Sequence, residues 1–142
     1  MILEIPGVPK ALKRHRMTKK GWSYDPSKKD KQDFIAKIPI RSRKTTFKGE
    51  IVLFVIFTMP RPKKHYRTGK FAHILKPNAP ENHITRPDID NLLKFVMDCL
   101  VDAEVIKDDC QVCAIQMEKI YGEEPSTTLM IRETWRDGCV TI

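Results

Sequence analysis

The strongest constraint on the fold is a run of seven apolar residues at positions 51–57, IVLFVIF. The run is rich in β-branched and aromatic side chains, and it is apolar at both of the alternating sets of positions that a strand presents to its two faces. A strand of this kind is covered on both faces and lies in the centre of its sheet. The sequence therefore predicts a β-sheet whose interior strand spans residues 50–59.

A second pattern predicts a helix over residues 89–101. Six apolar residues recur there at the three- and four-residue spacing of a helix with one buried face: Ile89, Leu92, Leu93, Val96, Met97 and Leu100. Pro87 cannot continue a helix from before it, and Asp88 is a favourable N-cap residue. We therefore expect the helix to begin at about Ile89 and to display polar groups on its other side.

Weaker signals complete the predicted order of elements. Residues 1–6 form a first strand, and Asp25, Pro26 and Ser27 mark the start of a helix that Pro39 bends or ends. Residues 111–121 and 127–133 alternate around a turn at residues 122–125, which predicts a hairpin. The order strand, helix, strand, long loop, helix, strand, strand predicts an α+β fold, in which a mixed β-sheet carries two main helices in a single domain over residues 1–142.

Basic and acidic residues are concentrated in different halves of the chain. Residues 1–76 contain 20 of the 26 Lys and Arg residues and only 5 of the 18 Asp and Glu residues, whereas residues 77–142 contain 6 basic and 13 acidic residues. A basic half can hold a polyanion, and an acidic half can hold a metal ion. A lysine-rich surface that only keeps the protein in solution is the alternative.

Two basic loops supply the candidate contacts to nucleic acid. Residues 10–24 mix basic groups with Trp22 and Tyr24, which suits phosphate contact together with stacking on bases or sugars; a mobile solvated loop is the equal alternative. Residues 60–86 contain four prolines and no helical pattern, which predicts an arm that becomes ordered on duplex DNA, with His65, His73 and His83 at its surface. The candidate DNA-binding residues are Lys10, Lys13, Arg14, Arg16, Lys19, Lys20, Arg61, Lys63, Lys64, Arg67, Lys70 and Arg86.

The acidic half contains two carboxylate pairs that could serve one site. Asp88 and Asp90 lie in the first turn of the predicted helix, and Asp108 and Asp109 lie in the loop that follows it. If the chain folds back at that loop, the carboxylates converge, and a few such oxygens suit Mg²⁺, which keeps waters that a phosphate can replace. The alternative role of Asp88 and Asp90 is to cap the helix. The alternative role of Lys94 is a salt bridge to Asp90 one turn away.

Other classes of protein fit the sequence less well. A single Cys-x-x-Cys, Cys110 and Cys113, lacks the second pair that a structural zinc site needs. We therefore predict that these two residues, together with Cys99 and Cys139, are reduced and serve in packing. No apolar run approaches the ~20 residues needed to cross a bilayer, and no secretory signal is present, so we expect a cytoplasmic protein that does not bind membranes.

A resemblance to a known family lies in residues 86–94, RPDIDNLLK, and in residues 107–112, KDDCQV. Both segments resemble the signature of the RusA-type Holliday junction resolvases, a family often encoded by prophages. The similarity is strongest over residues 87–112. It extends more weakly to residues 7–10, GVPK, and to residues 24–26, YDP, and it is absent from the C-terminal tail.

The resemblance implies a site and an activity. The family's three metal-binding catalytic carboxylates fall on Asp88, Asp90 and Asp109, with Asp108 one residue away from the last, and its required lysine falls on Lys94. It implies a homodimer that uses Mg²⁺, or Mn²⁺ in its place, to cut four-way DNA junctions by paired nicks in recombination, repair or phage DNA processing. A non-catalytic basic DNA-binding protein is the competing hypothesis, and a phosphoesterase acting on flaps or RNA is a third.

Overall fold

The computed structural model describes residues 1–44 and 47–134. Its elements, in chain order, are β1 (Ile2–Pro6), β2 (Arg16–Met17), β3 (Ser23–Tyr24), α1 (Lys28–Lys37), β4 (Ile51–Pro60), α2 (Ile89–Asp102), β5 (Val112–Gly122) and β6 (Ser126–Glu133). The predicted α+β class, with a mixed sheet and two main helices, is confirmed. The short β2–β3 pair is an element that the sequence did not predict.

The main sheet has four strands in the order β1-β6-β4-β5. β4 pairs antiparallel with β6 and parallel with β5, so the apolar run lies in the interior of the sheet, as predicted. Its inward residues Ile51, Leu53 and Phe57 have no exposed surface, whereas Ile56 on the opposite face is 38% exposed. The expectation that β4 is covered on both faces is therefore wrong, because both helices join the core on the inward face only.

The predicted hairpin of the last two strands is also wrong. β6 pairs with β1 and β4, and β4 separates it from β5. The link of residues 123–125 passes the end of β4, where Pro60 lies opposite Gly122 and Thr58 lies opposite Ser126. It must cover two strand spacings, about 9–10 Å, which four Cα–Cα steps of about 3.8 Å can reach. Alternation identified both strands but did not show which strand each one pairs with.

The apolar stripe of α2 fixes that helix on the sheet. Leu92, Val96 and Cys99 are buried, and the Phe95 ring meets the Phe34 ring of α1 edge-on with the centroids 5.7 Å apart. Burying one such Leu or Phe side chain stabilises the fold by about 1.5–3 kcal/mol. The apolar side of α2 thus sets its position, and the polar side is left to display charged groups. Within residues 1–44 and 47–134, no helix is long and apolar enough to cross a membrane.

The loop of residues 60–86 lies against the molecule, contrary to the expectation of a free arm. Its last part runs along the outer edge of β5, where His83 N donates to Lys119 O at 2.9 Å. The rings of His65 and His83 pack against the Tyr121 ring at centroid distances of 4.8 and 4.7 Å. Both histidines are therefore buried, and only His73 is exposed as predicted. The loop thus covers a strand edge that would otherwise be free to pair.

The cysteines agree with the prediction in part. Cys99, Cys110 and Cys113 are free thiols, and Cys99 is buried in the core as predicted. Cys110 and Cys113 are exposed; Cys113 lies near the start of the edge strand β5, and Cys110 lies in the turn directly before it. The predicted packing role is wrong for these two residues. Cys139 lies outside the described residues.

Candidate active site

α2 begins at Ile89, where the sequence predicted its start. Asp88 occupies the N-cap position with an extended backbone, and its carbonyl oxygen accepts a hydrogen bond from Leu92 N at 3.2 Å. The side chain of Asp88 makes no capping hydrogen bond. The alternative that this carboxylate serves only to cap the helix is therefore not supported, and the exposed side chain is available for another role.

Asp88 and Asp90 line the same open cleft, which has a volume of about 650 Å³. Its other walls are residues 82–86 and three residues of β5, Met117, Glu118 and Lys119. Three carboxylates, those of Asp88, Asp90 and Glu118, and the basic residues Arg86 and Lys119 thus line one space that is open to solvent. Such a space can hold a cation and a phosphate next to each other.

Lys119 connects β5 to the segment that leads into α2. Its Nζ donates to Thr85 O and to Pro87 O, each at 2.6 Å, and these are the carbonyl groups on either side of Arg86. Hydrogen bonds from a charged donor are about twice as strong as neutral ones. Lys119 therefore fixes the backbone directly before Asp88. Sequence reasoning missed this residue, and the one available signal was its place among only 6 basic residues in the acidic half.

Lys94 pairs with Asp90, as its alternative role predicted. The distance from Lys94 Nζ to Asp90 Oδ2 is 3.4 Å, and both side chains are 61% exposed. An exposed pair at this spacing stabilises a helix by only about 0.3–0.5 kcal/mol. The ammonium group can therefore leave Asp90 for a phosphate at little energetic cost.

Asp108 and Asp109 have different surroundings although they are adjacent. Asp108 Oδ1 accepts a hydrogen bond from Cys110 N at 2.9 Å, and this bond holds the pKa of Asp108 below its usual value. Asp108 is the N-cap of a single 3-10 turn, Asp109–Gln111, and Gln111 Oε1 completes this capping box by accepting from Asp108 N at 3.2 Å. The neighbouring Asp108 carboxyl group raises the pKa of Asp109, which lies outside this cap. Asp108 thus has a structural task, and Asp109 is the better candidate for a functional one.

The structure does not bring the two carboxylate pairs together in one site. Asp109 lines a second cleft, of about 370 Å³, together with Lys31, Asp98, Val101, Asp102 and Asp108. Asp98 lies eight residues after Asp90 on α2, which is about 12 Å along the helix axis. No three acidic side chains of the described residues are grouped closely enough to hold a metal ion, so Asp109 does not join Asp88 and Asp90 around one ion in this structure. The helix itself holds the two clefts apart.

The residues at the head of α2 nevertheless fit a hard divalent ion in part. No group of three His, Cys, Asp or Glu residues that could hold a metal occurs in the described part of the chain. Mg²⁺, however, usually binds through one or two carboxylates and fills its other positions with water and substrate phosphates. Asp88 and Asp90 offer such a pair of hard oxygen donors in an open cleft.

The predicted DNA-binding residues are exposed, with the exception of Arg61. Arg61 Nη1 donates to Pro80 O at 2.7 Å, and its guanidinium carbon lies 5.4 Å from the centre of the Tyr121 ring, so this residue holds the loop in place. The basic segment of residues 10–24 is joined to α2, because Leu12 N donates to Asn91 O at 3.0 Å. A basic surface and the Asp88–Asp90 cleft are therefore neighbours.

Comparison with known proteins agrees with this geometry. A family model described as "Endodeoxyribonuclease RusA" matches residues 6–132. The chain belongs to the RusA endodeoxyribonuclease family. The chain is also 33% identical over 116 residues to a protein of Bacillus subtilis (strain 168) described as "Uncharacterized protein YqaN", over 77% of each chain. The resemblance to RusA-type resolvases is thus confirmed. Membership of the family supports the function of a DNA endonuclease in junction resolution. RusA-family nucleases in general depend on a divalent metal.

Replacing Lys119 tests how the RusA-type site is held. Lys119→Met keeps the aliphatic stem but removes both hydrogen bonds, so we expect the free energy of unfolding to fall by about 1–3 kcal/mol. Amide hydrogen exchange over residues 84–92 should become faster, as measured by mass spectrometry. Lys76→Met, on the exposed surface of the same loop, is the matched control and should change neither quantity. Unchanged hydrogen exchange in Lys119→Met would contradict the conclusion that Lys119 fixes the backbone before Asp88.

Replacing Asp109 tests its electrostatic environment. Because the pKa of Asp109 is raised in the folded protein, its contribution to stability falls as the pH rises above the usual value of 3.8. Asp109→Asn removes that charge, so its Tm should match the wild type at pH 3 and equal or exceed it at pH 7. Thermal unfolding followed by circular dichroism gives both values. Asp108→Ala removes the N-cap of the following turn and should have a lower Tm at pH 7. A similar loss of Tm in Asp109→Asn would contradict the conclusion that the charge on Asp109 does not stabilise the fold.

Proposed function

We propose that this RusA-family protein is a divalent-metal-dependent, structure-selective endonuclease that resolves four-way DNA junctions by paired symmetric nicks, in recombination, repair or phage DNA processing. The observation that carries the proposal is the head of α2, where Asp88 lacks a capping hydrogen bond and shares an open cleft with Asp90. The basic segment of residues 10–24 is bonded to the same helical turn through Asn91. A nucleic acid strand bound to this basic segment would run close to the carboxylates of Asp88 and Asp90.

Each group at the cleft has a distinct proposed role. Asp88 and Asp90 would hold the metal ion, and a bound Mg²⁺ or Mn²⁺ would supply activation of a water nucleophile and neutralisation of charge on the phosphate. Lys94 turns from its weak pair with Asp90 to offset the negative charge that develops on the phosphate or the leaving oxygen. Arg86 lines the same cleft and is exposed, so its guanidinium can bind a phosphate through two N–H groups.

A homodimer would account for the position of Asp109. Its cleft lies beside the C-terminal half of α2, about 12 Å or more from Asp90 along the helix. A two-fold axis beside the middle of α2 and perpendicular to it would place two copies of the helix antiparallel, with the head of one beside the tail of the other. Asp109 of each copy would then lie close to Asp88 and Asp90 of the second copy. Two equivalent sites suit a junction, which must be cut at two symmetric places.

Cleavage of a labelled synthetic junction tests the activity. With Mg²⁺ or Mn²⁺, wild-type protein should nick the junction at two symmetric positions and leave a linear duplex of the same sequence intact. Asp90→Asn should lower the cleavage rate about 100-fold or more while junction binding persists. Asp33→Asn, an exposed acid outside both clefts, is the matched control and should cut normally. Tight, salt-sensitive binding that never leads to cleavage under any metal would favour the non-catalytic DNA-binding protein.

Mixing two inactive variants tests whether the site is shared between copies. Asp90→Asn and Asp109→Asn should each be inactive alone. In a mixed dimer, one site would combine an intact Asp90 from one copy with an intact Asp109 from the other, so the mixture should regain cleavage, mainly as single nicks. If both carboxylates act within one protomer, every site in the mixture lacks one of them. Continued inactivity of the mixture, with dimers verified by light scattering, would exclude the shared site.

A further inference from the structure

The β2–β3 pair forms a short hairpin with a closed turn at its tip. Thr18 closes the turn by donating from its backbone N to Trp22 O at 2.8 Å and by accepting from Trp22 N on its Oγ1 at 3.2 Å. Gly21, whose φ is +82°, also donates to Thr18 O at 2.9 Å and takes the left-handed conformation that the turn requires. We call residues 16–24 the tip hairpin. Its hydrogen bonds do not support the alternative of a structureless loop.

The tip hairpin exposes apolar surface that a folded chain normally buries. Trp22 is 74% exposed, Met17 is 73% exposed and Tyr24 is 46% exposed. Trp and Tyr bury large areas when they pack, and both usually lie in cores or interfaces. Trp22 and Tyr24 are separated by one residue and so share one face of the tip hairpin, and their exposed rings indicate a surface that becomes covered by a partner.

The charge around this cluster limits the chemistry of the partner. Residues 5–24 contain no Asp or Glu, and six basic residues lie among them: Lys10, Lys13, Arg14, Arg16, Lys19 and Lys20. A polyanion that also presents flat aromatic groups matches a basic surface with an exposed indole. Nucleic acid with unstacked bases has both properties, since any base can stack on an aromatic side chain.

The base of the tip hairpin is anchored beside the candidate active site. Leu12 N donates to Asn91 O at 3.0 Å, and Asn91 follows Asp90 directly. Lys13 N donates to Ser27 Oγ at 2.9 Å, which joins the same segment to the start of α1. The five Cα–Cα steps from Leu12 to Met17 reach at most about 18 Å, which is about five nucleotides at 3.4 Å each. Bases at the tip would therefore lie a few nucleotides from a phosphate in the cleft.

We propose that Trp22 stacks on a base left unpaired or unstacked at the branch point of DNA, and that this contact makes the protein prefer branched over linear DNA. A linear duplex keeps its bases stacked and offers only phosphates to the tip hairpin. A branch point offers phosphates and also bases that are free to stack. The inference rests on the proposed function, because it assigns a substrate feature to the nuclease site.

Binding measurements without divalent metal test the proposal on the full-length protein. Trp22→Ala should weaken binding to a four-way junction about 10- to 100-fold and change binding to a linear duplex less than about threefold. Trp22→Phe should retain most of the preference. Phe71→Ala removes another exposed aromatic residue, beside Lys70 in the other basic loop, and is the matched control that should change neither affinity. Unaltered thermal unfolding would verify that each variant is folded.

A fluorescent base analogue at the branch point gives a direct readout of stacking. Quenching of 2-aminopurine on binding should occur with wild type and Trp22→Phe and should be lost with Trp22→Ala. Equal losses of junction and duplex affinity, or no loss, would overturn the proposal. So would tighter binding to vesicles rich in phosphatidylserine than to the junction. Because these measurements need no cleavage, a protein that stacks on junctions but never cuts them would refute the nuclease function alone.

Discussion

Two hydrogen bonds from one ammonium group, Lys119 Nζ to the carbonyl oxygens of Thr85 and Pro87, join the sheet to the head of α2. Pairing with β4 fixes β5, and a buried apolar stripe fixes α2, so each element is placed by its own contacts. The chain between β4 and α2 returns to the edge of β5 at residues 81–83 through backbone hydrogen bonds. Lys119 Nζ then holds the backbone of residues 85–87, directly before Asp88. The geometry of the candidate site therefore depends on a residue of the sheet as much as on the helix.

The acidic residues of this RusA-family chain divide by the partners that they have. Asp108 is committed to a backbone cap, and Asp98 pairs with Lys31 at 2.9 Å. Asp88 has no capping bond, and the partner of Asp90 is held only by an exposed contact of 3.4 Å. Carboxylates without strong internal partners contribute little to the stability of the fold. Such groups are the ones expected where a cation or a substrate supplies the missing partner.

Short-range patterns in the sequence correctly predicted where α2 begins and which strand lies inside the sheet. Pro87 and Asp88 placed the start of α2 at the correct residue, and the apolar run placed β4 inside the sheet. Pairing between distant segments left no such signal, because alternation in β5 and β6 is the same whether they pair with each other or with β4. For the same reason the sequence placed Asp90 and Asp109 together, although the length of α2 separates their clefts. The role of Lys119 depends on two backbone carbonyl groups, which carry no sequence signature.

The central claim is that the carboxylates at the head of α2 bind a divalent ion, and direct measurement of Mn²⁺ binding by electron paramagnetic resonance tests it without DNA. Wild-type protein should bind Mn²⁺ stoichiometrically, and Mg²⁺ should compete for the site. Asp88→Asn should lose that binding, whereas Lys94→Ala should retain it because the lysine is proposed to act on the phosphate. If Asp88→Asn bound Mn²⁺ as tightly as the wild type, the site proposed here would be wrong.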